Sequence, residues 1–590
     1  MEIAPTAPLR ASLDALADTL EGFAFRLPGP AQPSREDERT EVAWSIREYL
    51  IPRFGDLEAP VLAVVLGSTG SGKSTLVNSL AQALVSEVGA LRPTTRAPVI
   101  WTRHPERYQD RYQDQFLTGY STRPNAERPL RVVAGEDRLL ENLSVLDAPD
   151  FDSVVEENRD MAEDLLAVAD LCVFVTTAQR YADAVPWDFL RQAHRRGLPL
   201  LFVVNRLPPD QEARRQILSD YSRRLAAHEV LLEDDPGLLF AISEQETDPD
   251  HGGLPAATVA RIREELSLLS DPGVRRQLIR QSTEGAVAEV IQQSRKLAGT
   301  VEEEAGEVEA LRQVARLAYR SQMDEVSRLL HKGALIRGEV VARWQEFVGT
   351  GDLLKSLASG VATLRRWGRT VLGGAAPVEE VGEEARTELV AAVVRRADLG
   401  AREAAAAWER DPAGKVLLAG AALPLPPPEG RGPSPHSASL WRHDPQTSER
   451  AQRAFEDWMA EVAELVAELG RGKQRTARLA SLGVNAAAVV VLVSVFAHTG
   501  GITGAELGIT AGAAAAQQKL LEHFFGSAAA QSLVEEARRR LHQALEGVLM
   551  ADAGRFAELA GRVAPVDGLA DRIQAQVAEV SKRAGAFYGH

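Results

Sequence analysis

The chain has 590 residues and a formal net charge of −16. The length leaves room for about three to four average domains, and the acidic balance argues against wholesale nucleic-acid binding. Hydrophobic residues make up 45% but aromatics only 5%, and the abundance of Ala and Leu favours helix packing over sheets. The single cysteine, Cys172, lies in an apolar run, so it reads as a core residue and rules out a disulfide framework. No basic start followed by an apolar core opens the sequence, so a cytosolic setting, or the inner face of a membrane, is expected.

Residues 1–54 precede the first strand. Ala11–Phe25 has Leu13, Leu16 and Leu20 at helical spacing; Pro28 to Ser34 breaks the pattern, and Arg35–Leu50 resumes it. Two such helices serve either as a brace or as partners for helices from the far end of the chain.

Val61–Leu66 is a continuous apolar run and predicts a buried strand. Gly67-Ser68-Thr69-Gly70-Ser71-Gly72-Lys73-Ser74 follows and fits G-x-x-x-x-G-K-S/T, with Thr75–Ala83 predicted as the helix after it. Glycines let backbone N–H groups wrap a phosphate chain, and the helix N-terminus adds positive potential. Lys73 is placed to reach the outer phosphates, and the Ser74 hydroxyl to hold Mg²⁺. A plain Gly/Ser-rich turn explains the glycines but not a lysine and a serine at this spacing. The phosphate-binding set is therefore Gly67, Ser68, Thr69, Gly70, Ser71, Gly72, Lys73, Ser74 and Thr75.

Leu91 to Trp101 reads as an irregular loop leading into a strand. A threonine about twenty residues beyond Lys73 suits a loop that senses Mg²⁺ and the terminal phosphate, and Thr95 is preferred over Thr94. Leu143-Ser144-Val145-Leu146-Asp147 is a strand ending on an acid suited to hold Mg²⁺ through water. Further buried strands are Leu171–Thr176, Leu198–Val204 (ending on Asn205-Arg206) and Leu238–Ile242 (ending on Ser243). They alternate with helical stretches such as Val154–Ala169 and Val185–Arg196, the pattern of a doubly wound sheet with ligand loops at its strand ends.

In this order, the P-loop, the threonine loop, Asp147, Asn205-Arg206 and Ser243 resemble the Ras-like GTPases. The size, the flanking helices and Thr95-Arg96-Ala97-Pro98-Val99 look most like the bacterial dynamin-like proteins. By motif the resemblance covers roughly residues 55–270, and beyond that it rests on helical architecture. It implies a Ras-like fold, GTP as substrate, Mg²⁺ as cofactor, and base contacts from Asn205, Arg206 and Ser243. The departures are specific. The D-x-x-G glycine is Asp150, in Asp147-Ala148-Pro149-Asp150. The N/T-K-x-D acid is Pro208, and Asp210 lies two residues late, with its ability to substitute left open. The position of the family's catalytic glutamine is Thr69, so the catalytic set is Lys73, Thr95 and Thr69, and hydrolysis is either slow or assisted by a second protomer.

From about Pro255 no strand alternation remains. Gly285–Phe347 is nearly free of glycine and proline, with Val287, Val290, Leu297 and Val301 at three- and four-residue steps. It reads as a long helical arm, or as a bundle helix broken near Gly306 or Gly333. Leu353–Leu372 is amphipathic, with Lys355, Arg365, Arg366 and Arg369 off the apolar stripe and no acid between Asp352 and Glu379. It suits an anionic membrane surface, or a core helix with solvated arginines. Glu383–Asp411 reads as a returning helix, and Leu423–Ser439 as a linker. From Leu479 to Ala505 there is no Asp, Glu, Lys or Arg, yet the apolar part is too short to span a bilayer. Gly504, Gly508 and Gly512 follow at four-residue steps, so residues 479–518 read as an apolar helical hairpin, either buried or inserted in one leaflet. Gln531–Tyr588 is one or two amphipathic helices able to fold back onto the N-terminal pair.

The expected architecture is thus an α/β P-loop nucleotide-binding domain at 55–270, N-terminal helices at 1–54 and an all-α stalk at 271–590. The expected function is a dynamin-like GTPase that dimerises or oligomerises through its nucleotide domain and works on membranes, with no nucleic-acid partner. The alternatives are a soluble nucleotide-switched scaffold and a slow P-loop ATPase.

Overall fold

The computed structural model describes residues 6–87, 97–105, 108, 130–150, 161–162, 165–182, 185–195, 197–228, 230, 238–245, 247–248, 251–269, 271–332, 376–419, 440–469 and 527–589. The predictions at Thr94 and Thr95, at 353–372 and at 479–518 lie outside these residues. The chain divides into two compact units: residues 1–25, 33–302 and 565–590 form the first, and residues 26–32 and 303–564 the second.

The first unit holds a seven-stranded sheet in the order β3-β2-β4-β1-β5-β6-β7. The strands are β1 (Val61–Gly67), β2 (Val99–Thr102), β3 (Arg131–Ala134), β4 (Leu143–Asp147), β5 (Leu171–Thr177), β6 (Leu200–Leu207) and β7 (Leu239–Ser243). β1 pairs parallel with both β4 and β5, while β2 runs antiparallel to β4. Every residue of β1 is buried, as a central strand covered on both faces requires, and this is why it reads as an unbroken apolar run. The architecture is a Ras-like α/β sheet joined to a large all-α region. β3 was not anticipated: it is a four-residue edge strand with Arg131 and Ala134 exposed, too short to announce itself.

The grouping differs from boundaries at 54/55 and 270/271, because both ends of the chain pack into the first unit. Helix Ala7–Glu21 buries Leu9, Leu13, Leu16 and Leu20, and helix Leu569–Tyr588 buries Ile573, Val577, Val580 and Ala584 in the same core. Each fully buried leucine, isoleucine or valine of these two helices contributes about 1.5–3 kcal/mol. Phe54 meets Phe587 edge-to-face at 5.5 Å, and Gln576 Nε2 donates to the Ala15 carbonyl at 3.0 Å. Beneath them lies a buried polar network: Asp170 ion-pairs with Arg53 and accepts from Tyr49 Oη at 3.1 Å and Leu62 N at 2.8 Å. Tyr49 Oη also lies 2.9 Å from Ser282 Oγ.

The long helix runs from Pro272 to Lys332, passing Gly299 and Gly306 unbroken, with open space beside both glycines. It starts earlier than periodicity suggested because Asp271 caps it: the Asp271 carboxylate accepts from Gly273 N at 2.8 Å, and Pro272 occupies the first turn, where its missing N–H costs nothing.

The second unit takes the residues of that helix from Glu303 onward, together with helices Ala376–Trp408, Pro412–Ala419, Thr447–Leu469 and Ser527–Gly561. Its core is built on Tyr319, Trp408, Trp458 and Phe556. Each indole finds a carbonyl, Trp408 Nε1 donating to Leu311 O at 2.9 Å and Trp458 Nε1 to Ala537 O at 2.8 Å, so the large rings are buried without an orphaned N–H. Among the described residues no helix is long and apolar enough to cross a membrane.

Candidate functional site

The loop Gly67–Ser74 joins β1 to the helix Lys73–Ala81 at the centre of the sheet. Two of its glycines are required by space. A Cβ on Gly67 would lie 2.2 Å from the Val175 carbonyl, and one on Gly72 would lie 2.4 Å from Asn205 Nδ2. Gly72 also has φ +97°, which favours glycine. The loop is thus pressed between the ends of β5 and β6.

Lys73 is buried, and its ammonium donates to the Gly67 carbonyl at 2.8 Å, the Ser68 carbonyl at 3.4 Å and the Asp150 carboxylate. Ser74 Oγ donates to Asp147 Oδ2 at 2.6 Å, so the strand-end acid and the P-loop serine stand together. Ser86 Oγ donates to the same oxygen at 2.5 Å. The other oxygen, Asp147 Oδ1, is buried with no hydrogen-bond partner, and so is Ser71 Oγ. Burial pushes the Asp147 carboxyl up from its ordinary range, against the pull of the Ser74 and Ser86 hydroxyls and the Lys73 charge. A buried carboxylate oxygen left unpaired, on an acid bonded to the Ser74 hydroxyl, gives oxygen donors that suit a hard divalent cation. Thr69 and Thr75 are half-buried on the same loop and helix.

Asn205 does not stand free to read a base. Its Nδ2 donates to the Ser71 carbonyl at 2.9 Å and its Oδ1 accepts from Arg206 N at 2.8 Å, so the amide ties β6 to the P-loop. A bulge in β6 between Val204 and Leu207 makes room for this, with Arg206 exposed in the left-handed region at φ +54°. Ser243 Oγ accepts from Arg214 Nη1 at 3.1 Å. Asp210 is an N-cap: its carboxylate accepts from Ala213 N at 2.7 Å at the start of helix Gln211–Ala227.

Two residues of this site escaped the sequence reading. Asn78 lies one helical turn past Ser74, and its amide is fully used. It donates to the carbonyls of Ser86 at 2.8 Å and His251 at 2.9 Å, and accepts from Val85 N at 3.0 Å and Ser86 N at 2.8 Å. It thereby holds Ser86, which holds Asp147. The available signal was a polar side chain four residues after Ser74, on the same face of a buried helix.

A glycine-lined loop between a central parallel strand and a helix, with its lysine, serine and strand-end acid converging, defines a P-loop GTPase domain, and this chain carries one. Residues 62–206 match the family model described as 50S ribosome-binding GTPase. The chain is 24% identical over 170 residues to a protein of Arabidopsis thaliana described as "Probable transmembrane GTPase FZO-like, chloroplastic". That match takes in 28% of this chain and only 17% of the relative. Among solved structures the chain is similar to one from a study titled "An oligomerised bacterial dynamin pair provides a mechanism for the long-range sensing and tethering of membranes", at 12% identity and TM-score 0.33, covering 100% of this chain and 95% of that one. It is also similar to one described as "LeoA bacterial dynamin GTPase from ETEC", at 12% identity and TM-score 0.25, covering 99% and 93%.

Proposed function

We propose that this protein is a dynamin-like GTPase that binds Mg²⁺–GTP in the Gly67–Thr75 loop, hydrolyses it, and uses the cycle to move its helical region in membrane remodelling or tethering. The observation that carries the nucleotide part is that the loop holding Lys73 brings Ser74 onto Asp147, whose second buried oxygen is left unpaired. Lys73 would take the outer phosphates, and the loop N–H groups would hold the chain behind them. Ser74 and Asp147 would hold the cation, with Thr95 as a further ligand. Bound Mg²⁺ supplies neutralisation of charge on the outer phosphates. Thr69 offers a hydroxyl, not an amide, to orient the attacking water, so hydrolysis is slow until a second protomer adds a group. Arg206 would lay its stem over the base, with Asn205 and Ser243 nearby.

The membrane part is supported by the family resemblance and by the basic, amphipathic pattern of the sequence 353–372, and with it goes a cytoplasmic setting, at the inner face of a membrane when bound. A second reading, an ATPase or a GTPase with relaxed base choice, is favoured by one observation: Asp210, the acid nearest the missing base reader at Pro208, is spent on a helix cap.

Titration of labelled GTP and ATP with Mg²⁺ against wild type and Lys73→Ala tests both readings. Tight GTP binding lost in the variant supports the first. Equal or better ATP binding moves the assignment to the second. Loss of neither nucleotide in the variant overturns the site. Flotation with anionic liposomes, with and without nucleotide, tests the membrane part, and no flotation in either state leaves a soluble switch.

A further inference from the structure

The Lys73 ammonium has three hydrogens, and each has an acceptor. Two acceptors are carbonyls of the loop from which the lysine itself springs. The third is a carboxylate from another segment, Asp150, three residues past the acid that ends β4. Both partners are sheltered, Lys73 at 4% exposure and Asp150 at 13%, so solvent screens the pair weakly. The charge a phosphate would neutralise is therefore already neutralised from within the chain.

An arriving nucleotide meets an anion on its lysine. A diphosphate needs the ammonium for its last phosphate but leaves space beyond it, where a carboxylate can remain. A triphosphate puts its terminal group, the most highly charged part of the chain, on the far side of the lysine. Either the carboxylate leaves or two anions crowd one cation. We propose that Asp150 is a specificity-determining residue that competes with the terminal phosphate for Lys73 and biases the site toward the diphosphate. The physical device is an opposed charge aimed at one ligand and not the other. The proposal deepens the reading of this loop as the nucleotide site and rests on it.

The test is GTP and GDP affinity, with Mg²⁺, for wild type, Asp150→Asn, Asp150→Gly and Lys73→Ala, with thermal unfolding of each to show that it is folded. Asp150→Asn keeps the shape and removes the charge; Asp150→Gly removes both. Each is expected to raise GTP affinity about tenfold, as loss of one close opposing charge should. GDP affinity should change less, so that the GTP-to-GDP ratio rises. A ratio unchanged in both variants, with binding still lost in Lys73→Ala, overturns the proposal and leaves the nucleotide site standing. Weaker GTP binding in Asp150→Asn also overturns it, since Asp150 would then be holding ligand. Undiminished binding in Lys73→Ala removes the site and the proposal together.

Discussion

Two aspartates, one in each unit, are buried to the same depth and live under opposite rules. Asp552, in the helical unit, has 0% exposure and a full set of partners. Its Oδ1 accepts from Asp444 N at 2.6 Å and Thr447 Oγ1 at 3.0 Å, and its Oδ2 from Tyr319 Oη at 2.6 Å and Arg555 Nη2 at 3.3 Å. Asp147, in the nucleotide unit, also has 0% exposure, yet its partners crowd onto one oxygen and leave the other bare. A buried carboxylate satisfied on both sides is a structural fastener. One left half-satisfied costs stability and is retained where something from outside completes it. A third, Asp170, belongs with the fasteners, ion-paired to Arg53 and bonded to Tyr49 and Leu62.

The comparison breaks most visibly by removing a fastener. Asp170→Ala leaves the Arg53 guanidinium buried and unpaired, and should cost about 3–5 kcal/mol in chemical denaturation. Asp552→Ala strands Tyr319 Oη, Thr447 Oγ1 and the Asp444 N–H, at about 1–3 kcal/mol for each group that water cannot reach. Nucleotide affinity in the folded fraction of the Asp552 variant should match wild type. A loss of affinity as large as the loss of stability would erase the distinction between fastener and site.

Asp147→Asn should behave the other way. It removes a charge that burial disfavours, so stability should hold or rise, while the Mg²⁺ dependence of GTP binding weakens by about 10- to 100-fold. The pH dependence follows. The Asp147 carboxyl is raised in the folded protein above its ordinary 3.8, so the folded state binds the extra proton. That contribution to stability is complete below pH 3.8 and is lost as pH rises through the folded value. Asp147→Asn should flatten this slope in an unfolding series across pH.

These contrasts were only partly legible in the sequence. β1, its loop and the Lys73–Ala81 helix announce themselves because one face of the chemistry, phosphate binding by backbone, dictates residue types at fixed spacing. β5 and β6 were legible as apolar runs because an inner parallel strand is buried on both sides, and β7, at the sheet edge with Ala241 exposed, by its apolar composition alone. The caps at Asp271-Pro272 and Asp210 carry a start signal, an acid before the first turn, but an aspartate near a strand end suits a cap and a ligand contact equally, and apolar periodicity does not extend to the first turn of the long helix. What no local pattern could carry is who meets whom: Asp150 with Lys73 lies 77 residues apart, and Ser86 with Asp147 lies 61. Ordinary residues acquire roles there through the fold alone.

A smaller effect comes from Glu48, whose carboxyl burial pushes up from 4.5 to about 7, with the Glu21 charge adding to it. Its buried Oε2 has no hydrogen-bond partner, so it resembles Asp147 without any ligand chemistry beside it. The raised value means that protonation favours folding. The contribution is complete below pH 4.5 and lost as pH rises through about 7. Glu48→Gln should therefore be more stable than wild type at pH 8 by about 1 kcal/mol, a figure reduced because the side chain is only half-buried, and equal to it at pH 4. Unfolding midpoints at the two pH values measure the difference.

The finest test concerns the arm that steadies the unsatisfied acid. Ser86 and Ser74 share Asp147 Oδ2, and Ser86 is itself held by Asn78. Removing the Ser86 hydroxyl takes away a hydrogen bond that favours the ionised carboxylate, so a metal that needs the ionised form should bind less readily. Ser86→Ala is expected to shift the Mg²⁺ requirement for GTP binding upward by about fivefold, the worth of one such bond. Affinity at saturating Mg²⁺ should be unchanged, because no contact to nucleotide is lost. The shift should widen at lower pH, where the carboxyl protonates more readily. A uniform loss of GTP affinity at every Mg²⁺ concentration would instead place Ser86 in the scaffold of the loop, and Asp147 would then owe its orientation to Ser74 alone.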